Sequence, residues 1–336
     1  MALTGGLLIP AASAQASVPS YEFASPAFGL ATAPDGSLLV ADAGAGIVEL
    51  RNGVGTLAAP LPGVTDVAPI GRGDMFAVTG GGEDASARKL FRVSGGATRE
   101  IADLGAFEAA VNPDGEEIDS NPYDVAALGG GKALVADAGA NALLVVDQQG
   151  NVDWVATLPD ELASTANAKQ LAGCPAAPPE FAFVCTLPEM IPAQGVATSV
   201  AVGPDGAYYV SELKGFPGPI GASKVWRVEP GTRHAECGTS PACTVVADGF
   251  TSIVDLAFAP NGTLYVVEID EASFLAVELG SGTSGTVNAC SPGSWTCTPV
   301  ATGLSMPMAA TVGKDGTVYA LTQGLLPGAA KVIALS

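Results

Sequence analysis

The stretch DVAALGGGKALVAD, residues 124–137, sets a pattern that five further segments of equal length follow without gaps. Each segment has an apolar strand, a tight turn and a second apolar strand. The other five are GLATAPDGSLLVAD (29–42), DVAPIGRGDMFAVT (66–79), SVAVGPDGAYYVSE (199–212), DLAFAPNGTLYVVE (255–268) and AATVGKDGTVYALT (309–322). Six matches in register indicate a repeat protein made of one supersecondary unit.

The turns of these segments predict β-hairpins. Dipeptides typical of two-residue type I′ turns occur at Asp35-Gly36, Asp205-Gly206, Asn261-Gly262 and Asp315-Gly316. Third strands are predicted at 47–50, 90–93, 143–146, 225–228, 276–279 and 332–335, and fourth strands at 153–157, 243–247 and 297–301. Four antiparallel strands per unit, repeated radially, predict an all-β, six-bladed β-propeller.

The ends of the chain suggest how the ring closes. The sixth unit stops after its third strand, whereas an extra strand, Tyr21–Ser25, precedes the first unit. We expect this N-terminal strand to close the last blade, because an open edge would invite aggregation. The propeller domain is therefore predicted over residues 20–336. The longest connection, residues 158–195, lacks the turn pattern and is interpreted as a disulfide-pinned loop rather than a seventh blade.

Charge and targeting signals exclude several classes of partner. Lys plus Arg total 14 against 34 Asp plus Glu, for a net charge of −20. Such a surface repels nucleic acid and anionic lipid and favours cations, although it would also serve solubility alone. Residues 1–16, MALTGGLLIPAASAQA, resemble a signal peptide, and no segment is long and apolar enough to span a bilayer. We expect an exported monomer.

The six cysteines support export. They form three close pairs, each within one loop or hairpin: Cys174 and Cys185, Cys237 and Cys243, Cys290 and Cys297. Metal binding would require C-x-x-C spacing or nearby histidines, and neither occurs. We predict three local disulfides made in an oxidising compartment, although the sequence alone leaves other pairings open.

Carboxylates recur at the hairpin ends. Two-residue turns would place these residues face to face: Asp124/Asp137, Asp255/Glu268, Asp66/Thr79, Ser199/Glu212, Gly29/Asp42 and Ala309/Thr322. Opposed carboxylates repel by roughly 0.2–1 kcal/mol, so a cation, a shared proton or a cationic ligand should compensate. Oxygen ligands favour Ca²⁺, with Asp124, Asp137, Asp255 and Glu268 as the candidate ligands. The alternative is that each carboxylate binds only the amides of its own turn.

Loops predicted at the same end would form a ligand site. The predicted ligand-binding residues are Asp66, Asp124, Asp137, Ser199, Glu212, Lys214 and Phe216, and apolar side chains expected at the rim are Phe216, Pro217, Ile220, Met190 and Leu325. Lys214 could be an ion-pair partner or a general acid. Glu268 and Asp255 are the candidate general bases of an enzyme. The single histidine, His234, lies in a hairpin of the opposite face, which argues against a Ser-His-Asp triad.

The repeat core from Asp124 resembles the NHL repeat. The segment TSVAVGPDGAYYVSELKGFPGPIGASKVWRVEPG (198–231) looks more specifically like the ScyD/ScyE family of exported propellers. This resemblance implies six blades and an extracytoplasmic location, and it implies no particular reaction. A looser likeness to gluconolactonase and strictosidine-synthase propellers implies carboxylate or metal chemistry at the same face.

Three functions follow, in decreasing order of support. The first is a module that binds a small ligand, a divalent cation or both at the acidic mouth. The second is a protein-interaction platform. The third is a metal- or carboxylate-dependent enzyme of the hydrolase or lactonase type.

Overall fold

The computed structural model describes residues 21–24 and 26–335. Six of its sheets are blades around a central axis, and the innermost strands of these blades contact one another in cyclic order. Apolar side chains fill the space between blades: one cluster joins blades one and two, and another joins blades three and four. The predicted all-β, six-bladed propeller is confirmed.

The first three blades each contain a four-stranded antiparallel meander. Blade one consists of β1 (Ala27–Thr32), β2 (Leu38–Asp42), β3 (Gly46–Arg51) and β4 (Val54–Pro60). Blade two consists of β5 (Val64–Pro69), β6 (Asp74–Thr79), β7 (Lys89–Ser94) and β8 (Ala97–Asp103), followed by helix α1 (Leu104–Val111). Blade three consists of β9 (Pro122–Leu128), β10 (Lys132–Asp137), β11 (Ala142–Val146) and β12 (Val152–Thr157).

The connection after blade three has its own structure. It contains a hairpin of β13 (Glu161–Ser164) and β14 (Met190–Ala193), helix α2 (Ala166–Leu171) and a 3₁₀ helix over Pro179–Thr186. A disulfide joins Cys174 to Cys185 within it. The segment is therefore pinned as predicted and is not a seventh blade.

The last three blades complete the ring. Blade four consists of β15 (Ala197–Val202), β16 (Tyr208–Glu212), β17 (Ser223–Val228) and β19 (Cys243–Phe250), and the short β18 (Ala235–Glu236) pairs in parallel with β12 of blade three. Blade five consists of β20 (Ile253–Phe258), β21 (Leu264–Glu268), β22 (Gly285–Cys290) and β23 (Cys297–Leu304), with helix α3 (Phe274–Glu278) between β21 and β22. Blade six consists of β24 (Ala309–Val312), β25 (Val318–Thr322) and β26 (Lys331–Leu335).

One strand assignment made from the sequence is wrong. The third strand of blade five was predicted at 276–279, but the third strand is β22, and most of the predicted segment belongs to α3. The apolar run of α3 resembles a strand in composition, and a short apolar segment cannot be assigned to helix or strand by periodicity alone. The other two disulfides, Cys237–Cys243 and Cys290–Cys297, form as predicted.

The hairpin turns have one more residue than expected. In blade one, the Gly36 amide donates to the Ala33 carbonyl and the Ala33 amide donates to the Ser37 carbonyl. Gly36 has φ +94°, whereas Asp35 keeps a negative φ, so Pro34-Asp35-Gly36 is a type I turn followed by a left-handed glycine. The predicted two-residue turn, and every facing pair derived from it, is therefore wrong.

The N-terminal segment lies where blade six meets blade one. Phe23 packs in the same apolar cluster as Ala330 and Val332 of blade six. Tyr21 packs over Gly55 of β4, where a Cβ atom would collide with its ring. Within the described residues blade six has three strands, and Tyr21–Ala24 form no strand. The remaining residue of the expected closing strand, Ser25, lies outside the described residues, as does the signal-like segment 1–16.

Candidate functional site

Polar residues near the start of the inner strands connect successive blades at the propeller axis. Asp66 accepts a hydrogen bond from the Val125 amide at 3.1 Å, and Asp124 accepts one from the Val200 amide at 2.8 Å. In blades four and five, the Ser199 hydroxyl accepts from the Leu256 amide at 3.0 Å, and Asp255 accepts from the Ala310 amide at 2.7 Å. Each of these side chains thus fixes the inner strand of the next blade.

Three of these residues bring their carboxyl groups together. Ser199 donates to Asp124 and lies 3.3 Å from Asp255, while Asp66 adjoins Asp124 from the other side. Gly29 makes room for Asp66, because a Cβ atom there would lie 2.1 Å from an Asp66 carboxyl oxygen. We call Asp66, Asp124 and Asp255 the axial carboxylates. Their convergence is what the sequence led us to expect at this end of the ring, although between other partners.

Burial and neighbouring charge raise the pKa values of two axial carboxylates, Asp66 and Asp255. Burial, and then the charge of Asp124, raise the pKa of Asp255 to about 8. Burial, followed by the charges of Asp124 and Asp255, also raises the pKa of Asp66 well above its usual range. Buried like charges disfavour ionisation of their neighbours.

Tyr123 covers the axial carboxylates. Burial raises the pKa of its hydroxyl, and the charges of Asp255, Asp124 and Asp66 raise it further. Its ring meets Phe28 of blade one edge-on, with the ring centroids 5.9 Å apart. The hydroxyl therefore remains protonated and can donate a hydrogen bond.

An apolar pocket of about 590 Å³ opens above Tyr123. Its walls come from the inner strands, the Leu213–Phe216 loop and helix α3. The apolar side chains lining it are Phe28, Tyr123, Ala138, Val196, Leu213, Phe216, Val254, Ile269, Phe274, Leu275, Val277, Met308 and Leu325. Among the described residues that line it, the charged one is Glu278, which is exposed. A concave site of this size and apolarity suits a small organic ligand.

Sequence reasoning identified only part of this pocket. Phe216 and Leu325 were predicted at the rim and line it, whereas Pro217, Ile220 and Met190 do not. Five of the residues that were missed share one position, immediately before the repeat segments of five blades: Phe28, Tyr123, Thr198, Val254 and Met308. Extending each repeat by one residue towards the N terminus would have exposed this set. Residues of α3 were missed because that segment was assigned to a strand.

The carboxylates at the ends of the second strands serve the loops instead. The two carboxylate pairs predicted from the sequence, Asp124/Asp137 and Asp255/Glu268, do not face each other. Asp124 pairs with Ala136 and Asp137 with Pro122, while Asp255 pairs with Val267 and Glu268 with Ile253.

Asp137 accepts from the Asn121 amide at 2.6 Å and from the Ser120 hydroxyl at 2.7 Å. Glu268 accepts from the Thr251 amide at 2.5 Å and the Asn288 side chain at 2.6 Å. Since both Glu268 oxygens are engaged away from the pocket, its predicted role as a general base has no geometric support.

Glu212 and Lys214 form a buried ionic network rather than a ligand contact. The Lys214 ammonium lies 2.8 Å from Glu161 and 3.4 Å from Glu212, and Lys214 is only 1% exposed. Burial raises the pKa of Glu212 to about 7, against the opposing influence of Lys214. Lys214 is thus an ion-pair partner, one of its two predicted roles. It lies between Leu213 and Gly215, which line the pocket, and holds their loop in place.

The four predicted Ca²⁺ ligands are not brought together. Asp124 and Asp255 belong to the axial carboxylates, whereas Asp137 and Glu268 bind loop amides elsewhere. Within residues 21–24 and 26–335, no group of three or more His, Cys, Asp or Glu side chains has an arrangement that could hold a metal ion. His234 pairs with Asp153 at 2.7 Å and does not line the pocket.

Comparisons with solved structures show the fold. The chain is similar to the PQQ-bound aldose sugar dehydrogenase of Streptomyces coelicolor, with 13% identity, TM-score 0.58, and coverage of 96% of this chain and 97% of that one. It is also similar to the calcium-binding protein regucalcin of Agrobacterium tumefaciens, with 12% identity, TM-score 0.56, and coverage of 95% and 92%. It is similar as well to virginiamycin B lyase of Staphylococcus aureus, with 13% identity, TM-score 0.51, and coverage of 89% of this chain and 78% of that one.

Sequence comparisons add no closer relationship. No protein-family model matches the chain, and no curated protein matches it. At these low identities the structural likeness establishes a β-propeller and carries no activity with it. Three disulfides indicate an oxidising environment. Among the described residues, no helix combines the length and apolarity that crossing a membrane requires. The protein is a disulfide-bonded six-bladed propeller with an apolar pocket above acidic groups at its axis.

Proposed function

We propose that this chain is an exported binding protein that holds a small, mainly apolar ligand in the pocket above Tyr123. The observation that carries the proposal is the apposition of the apolar pocket of about 590 Å³ with the axial carboxylates beneath its floor. Apolar walls supply affinity, and a few polar groups at the floor orient the ligand.

The electrostatics of the pocket select the kind of ligand. No basic side chain belongs to the described residues that line it, and Glu278 stands at its edge. A carboxylate, phosphate or sulfate group would find no positive charge in this lining to pair with, and Glu278 would repel it. The ligand is therefore neutral or cationic. The polar group of a neutral ligand accepts from the Tyr123 hydroxyl, and that of a cationic ligand pairs with Glu278 at the edge. This ligand takes the place of the Ca²⁺ ion that the sequence suggested at the same mouth.

The likeness to the ScyD/ScyE family supports the same location for the site. Its most specific segment, SELKGFP (211–217), supplies Leu213, Gly215 and Phe216 to the pocket wall. Glu212 and Lys214 of the same segment anchor that wall from behind. We propose that the chain is a propeller of this type and that its signal-like residues direct export.

Three eight-carbon probes whose head groups differ in charge test the proposal: n-octylammonium, n-octanol and n-octanoate, measured by calorimetry at neutral pH. We expect the first two to bind and octanoate to bind at least about tenfold more weakly, a difference of about 1.4 kcal/mol. Ala138→Trp, which fills the pocket, should abolish binding of both. Ala176→Trp, at an exposed position of the blade three to four connection, should leave it unchanged.

Failure of all three probes to bind, or equal binding by Ala138→Trp and the unmodified chain, would remove the pocket as a ligand site. A strong preference for octanoate would contradict the assignment of charge.

A second candidate function is a platform for a protein partner. It is favoured by Leu162 and Met190, which lie on the β13–β14 hairpin and are 70% and 46% exposed. Exposed apolar groups of this kind occur at protein interfaces. Capture of a secreted-fraction protein by the unmodified chain, lost in Leu162→Asp but kept in Ala138→Trp, would favour this function over the pocket.

A further inference from the structure

A cavity of about 310 Å³ lies at the end of blade three and shares no lining residue with the pocket above Tyr123. Its walls come from the loop after helix α1, from the end of β12 with the residues that follow it, and from the short β18 with the residues after it. Among the described residues that line it there are four carboxylates and no basic side chain. The carboxylates are Asp114, Glu116, Asp160 and Glu236.

Backbone pairing brings the walls of this cavity together. Thr157 and Glu236 are direct partners in the parallel pair β12–β18, and the Cys237 amide donates to the Thr157 carbonyl at 3.0 Å. On the other side, the Asn141 carbonyl accepts from the Leu158 amide at 2.8 Å, and the Asn141 side chain donates to Asp114 at 2.8 Å. Asp114 and Glu236 therefore flank the same end of β12.

Three of the four carboxylates are free to meet a ligand. Glu116, Asp160 and Glu236 are exposed, and their side chains form no hydrogen bond or ion pair with a described residue. Asp114 differs, because it is fixed by the Asn141 side chain and by the Glu116 amide, which donates to it at 3.0 Å. The cavity thus has one fixed carboxylate and three uncommitted ones.

Thr157 adds an uncommitted polar group on the buried side of the cavity. The residue is 7% exposed, and its hydroxyl has no hydrogen-bond partner among the described residues. The hydroxyl is not one of the unpaired polar atoms that the fold closes off completely, so it faces the cavity that Thr157 lines. Buried polar groups are almost always paired in native proteins. The partner of this hydroxyl must therefore come from within the cavity.

One cation of the protein contacts a lining residue without belonging to the lining. The Lys214 ammonium lies 3.4 Å from the Pro159 carbonyl oxygen. Its charge is already balanced, because it pairs with Glu161 at 2.8 Å and with Glu212 at 3.4 Å. The negative charge of the cavity is therefore left for a cation from outside the chain.

The lining favours a planar organic cation over a metal ion. Across the part of the chain that the structure describes, no three acidic, histidine or cysteine side chains converge closely enough to hold a metal. A guanidinium group suits acceptors that are spread around a rim, because its N–H donors point outward in one plane. It is also more weakly hydrated than an ammonium group, which suits the apolar part of the lining at Pro113, Leu158 and Pro159.

We propose that this cavity binds a guanidinium group, carried either by an arginine of a peptide or by a small free alkylguanidine. The group donates to the carboxylates of Asp160 and Glu236 and to the Thr157 hydroxyl, and the alkyl stem lies on Leu158 and Pro159. The proposal does not depend on the ligand pocket above Tyr123.

Titration of n-butylguanidinium and n-butylammonium into the full chain, followed by calorimetry at neutral pH and low salt, tests this site. We expect one saturable event for n-butylguanidinium in the millimolar range, and binding of n-butylammonium that is at least about fivefold weaker. The double variant Asp160→Asn with Glu236→Gln should bind n-butylguanidinium about tenfold more weakly, because both charges pair with it. Thr157→Val keeps the shape of the side chain and should weaken binding about threefold.

Two controls make the result specific. The double variant Glu180→Gln with Glu189→Gln removes the same net charge from exposed positions outside the cavity, and it should bind as the unmodified chain does. Ala138→Trp, which fills the pocket above Tyr123, should also bind n-butylguanidinium unchanged, so the two sites are tested separately.

A blocked Gly-Arg-Gly peptide identifies the source of the group. Tighter binding of the peptide than of n-butylguanidinium supports a peptide arginine, and weaker binding supports a free alkylguanidine. Absence of n-butylguanidinium binding to the unmodified chain, equal affinity for the two butyl probes, or equal losses in the two double variants would overturn the proposal.

Discussion

Asp124 and Asp137 belong to one hairpin and have different roles because of their register. Asp124 points to the axis, where its neighbours are two other carboxyls and a serine hydroxyl. Asp137 receives four hydrogen bonds from the loop that precedes its own blade and from the turn that follows it. The same residue type is thus a source of mutual repulsion at one position and a loop anchor at the other. Solvation and available donors, rather than residue identity, decide between them.

Lys214 should be the most costly single truncation in the pocket wall. Lys214→Met leaves Glu212 buried without its counter-charge, so we expect the free energy of unfolding to fall by about 3 kcal/mol or more in chemical denaturation. Lys224→Met removes a more exposed partner of Glu161 and should cost less than about 1 kcal/mol. Similar losses in the two variants would mean that the buried network contributes little.

Hairpin turns are the elements that set which side chains share a face. The third turn residue is a glycine in the left-handed region in blades one, four, five and six, at Gly36, Gly206, Gly262 and Gly316. A turn of three residues shifts the pairing by one position relative to a two-residue turn, and a bulge near the axis shifts it again. These two shifts separate Asp124 from Asp137 and Asp255 from Glu268.

A substitution at Gly206 tests the backbone conformation of this turn separately from side-chain packing. Its φ is +77° and nothing lies within 4 Å of the position that a Cβ atom would take, so Gly206→Ala introduces backbone strain without a collision. We expect Gly206→Ala to lower the free energy of unfolding by about 1 kcal/mol, measured by denaturant titration. Gly206→Asn should lose less, because asparagine tolerates positive φ. A neutral alanine variant would show that the turn does not need the left-handed conformation.

The elements around the pocket are also joined across blades. The Asn167 side chain of α2 donates to the Gly218 carbonyl at 2.7 Å and to the Ala272 carbonyl at 3.0 Å. These bonds connect the insertion after blade three to the loop of blade four and to the residues before α3. The insertion supports two walls of the pocket through these bonds, and none of its residues, including the predicted rim residue Met190, lines the pocket.

At the scale of the whole molecule, buried carboxyls should make stability depend on pH. The pKa of Asp255 is about 8 in the folded protein and about 3.9 in the unfolded chain. Its contribution to the free energy of unfolding is therefore fully present when the pH is below the unfolded pKa. The contribution is lost as pH rises through about 8. Asp66, Glu212 and Glu268 have pKa values raised in the same direction and add to the effect.

Thermal unfolding between about pH 5.5 and about pH 9 measures this dependence, because the raised pKa values lie within or near that range. We expect Tm to fall towards the alkaline end, and the fall to be smaller in Asp255→Asn. Asp315→Asn changes an exposed turn carboxylate whose pKa is lowered, and it should leave the alkaline slope as it is. A Tm that is independent of pH over this range would contradict the raised pKa values of Asp66 and Asp255.

The fold and part of the site could be predicted because they rest on local pattern. Alternation of apolar residues and the repeated turn segments predict hairpins, and six equal repeats predict a closed ring. The same pattern places Asp66, Asp124 and Asp255 at equivalent positions near the axis. The disulfides follow from short spacing, since loop closure over 6 to 11 residues is geometrically easy.

The identity of the pocket and the state of its charges were decided by the tertiary structure. One extra turn residue, the helical conformation of Phe274–Glu278 and the burial of Lys214 depend on contacts between distant segments, which no local pattern encodes. A carboxylate is anchor, proton holder or metal ligand according to the dielectric and the donors around it. Those surroundings exist only once blades that are far apart in the sequence meet at the axis.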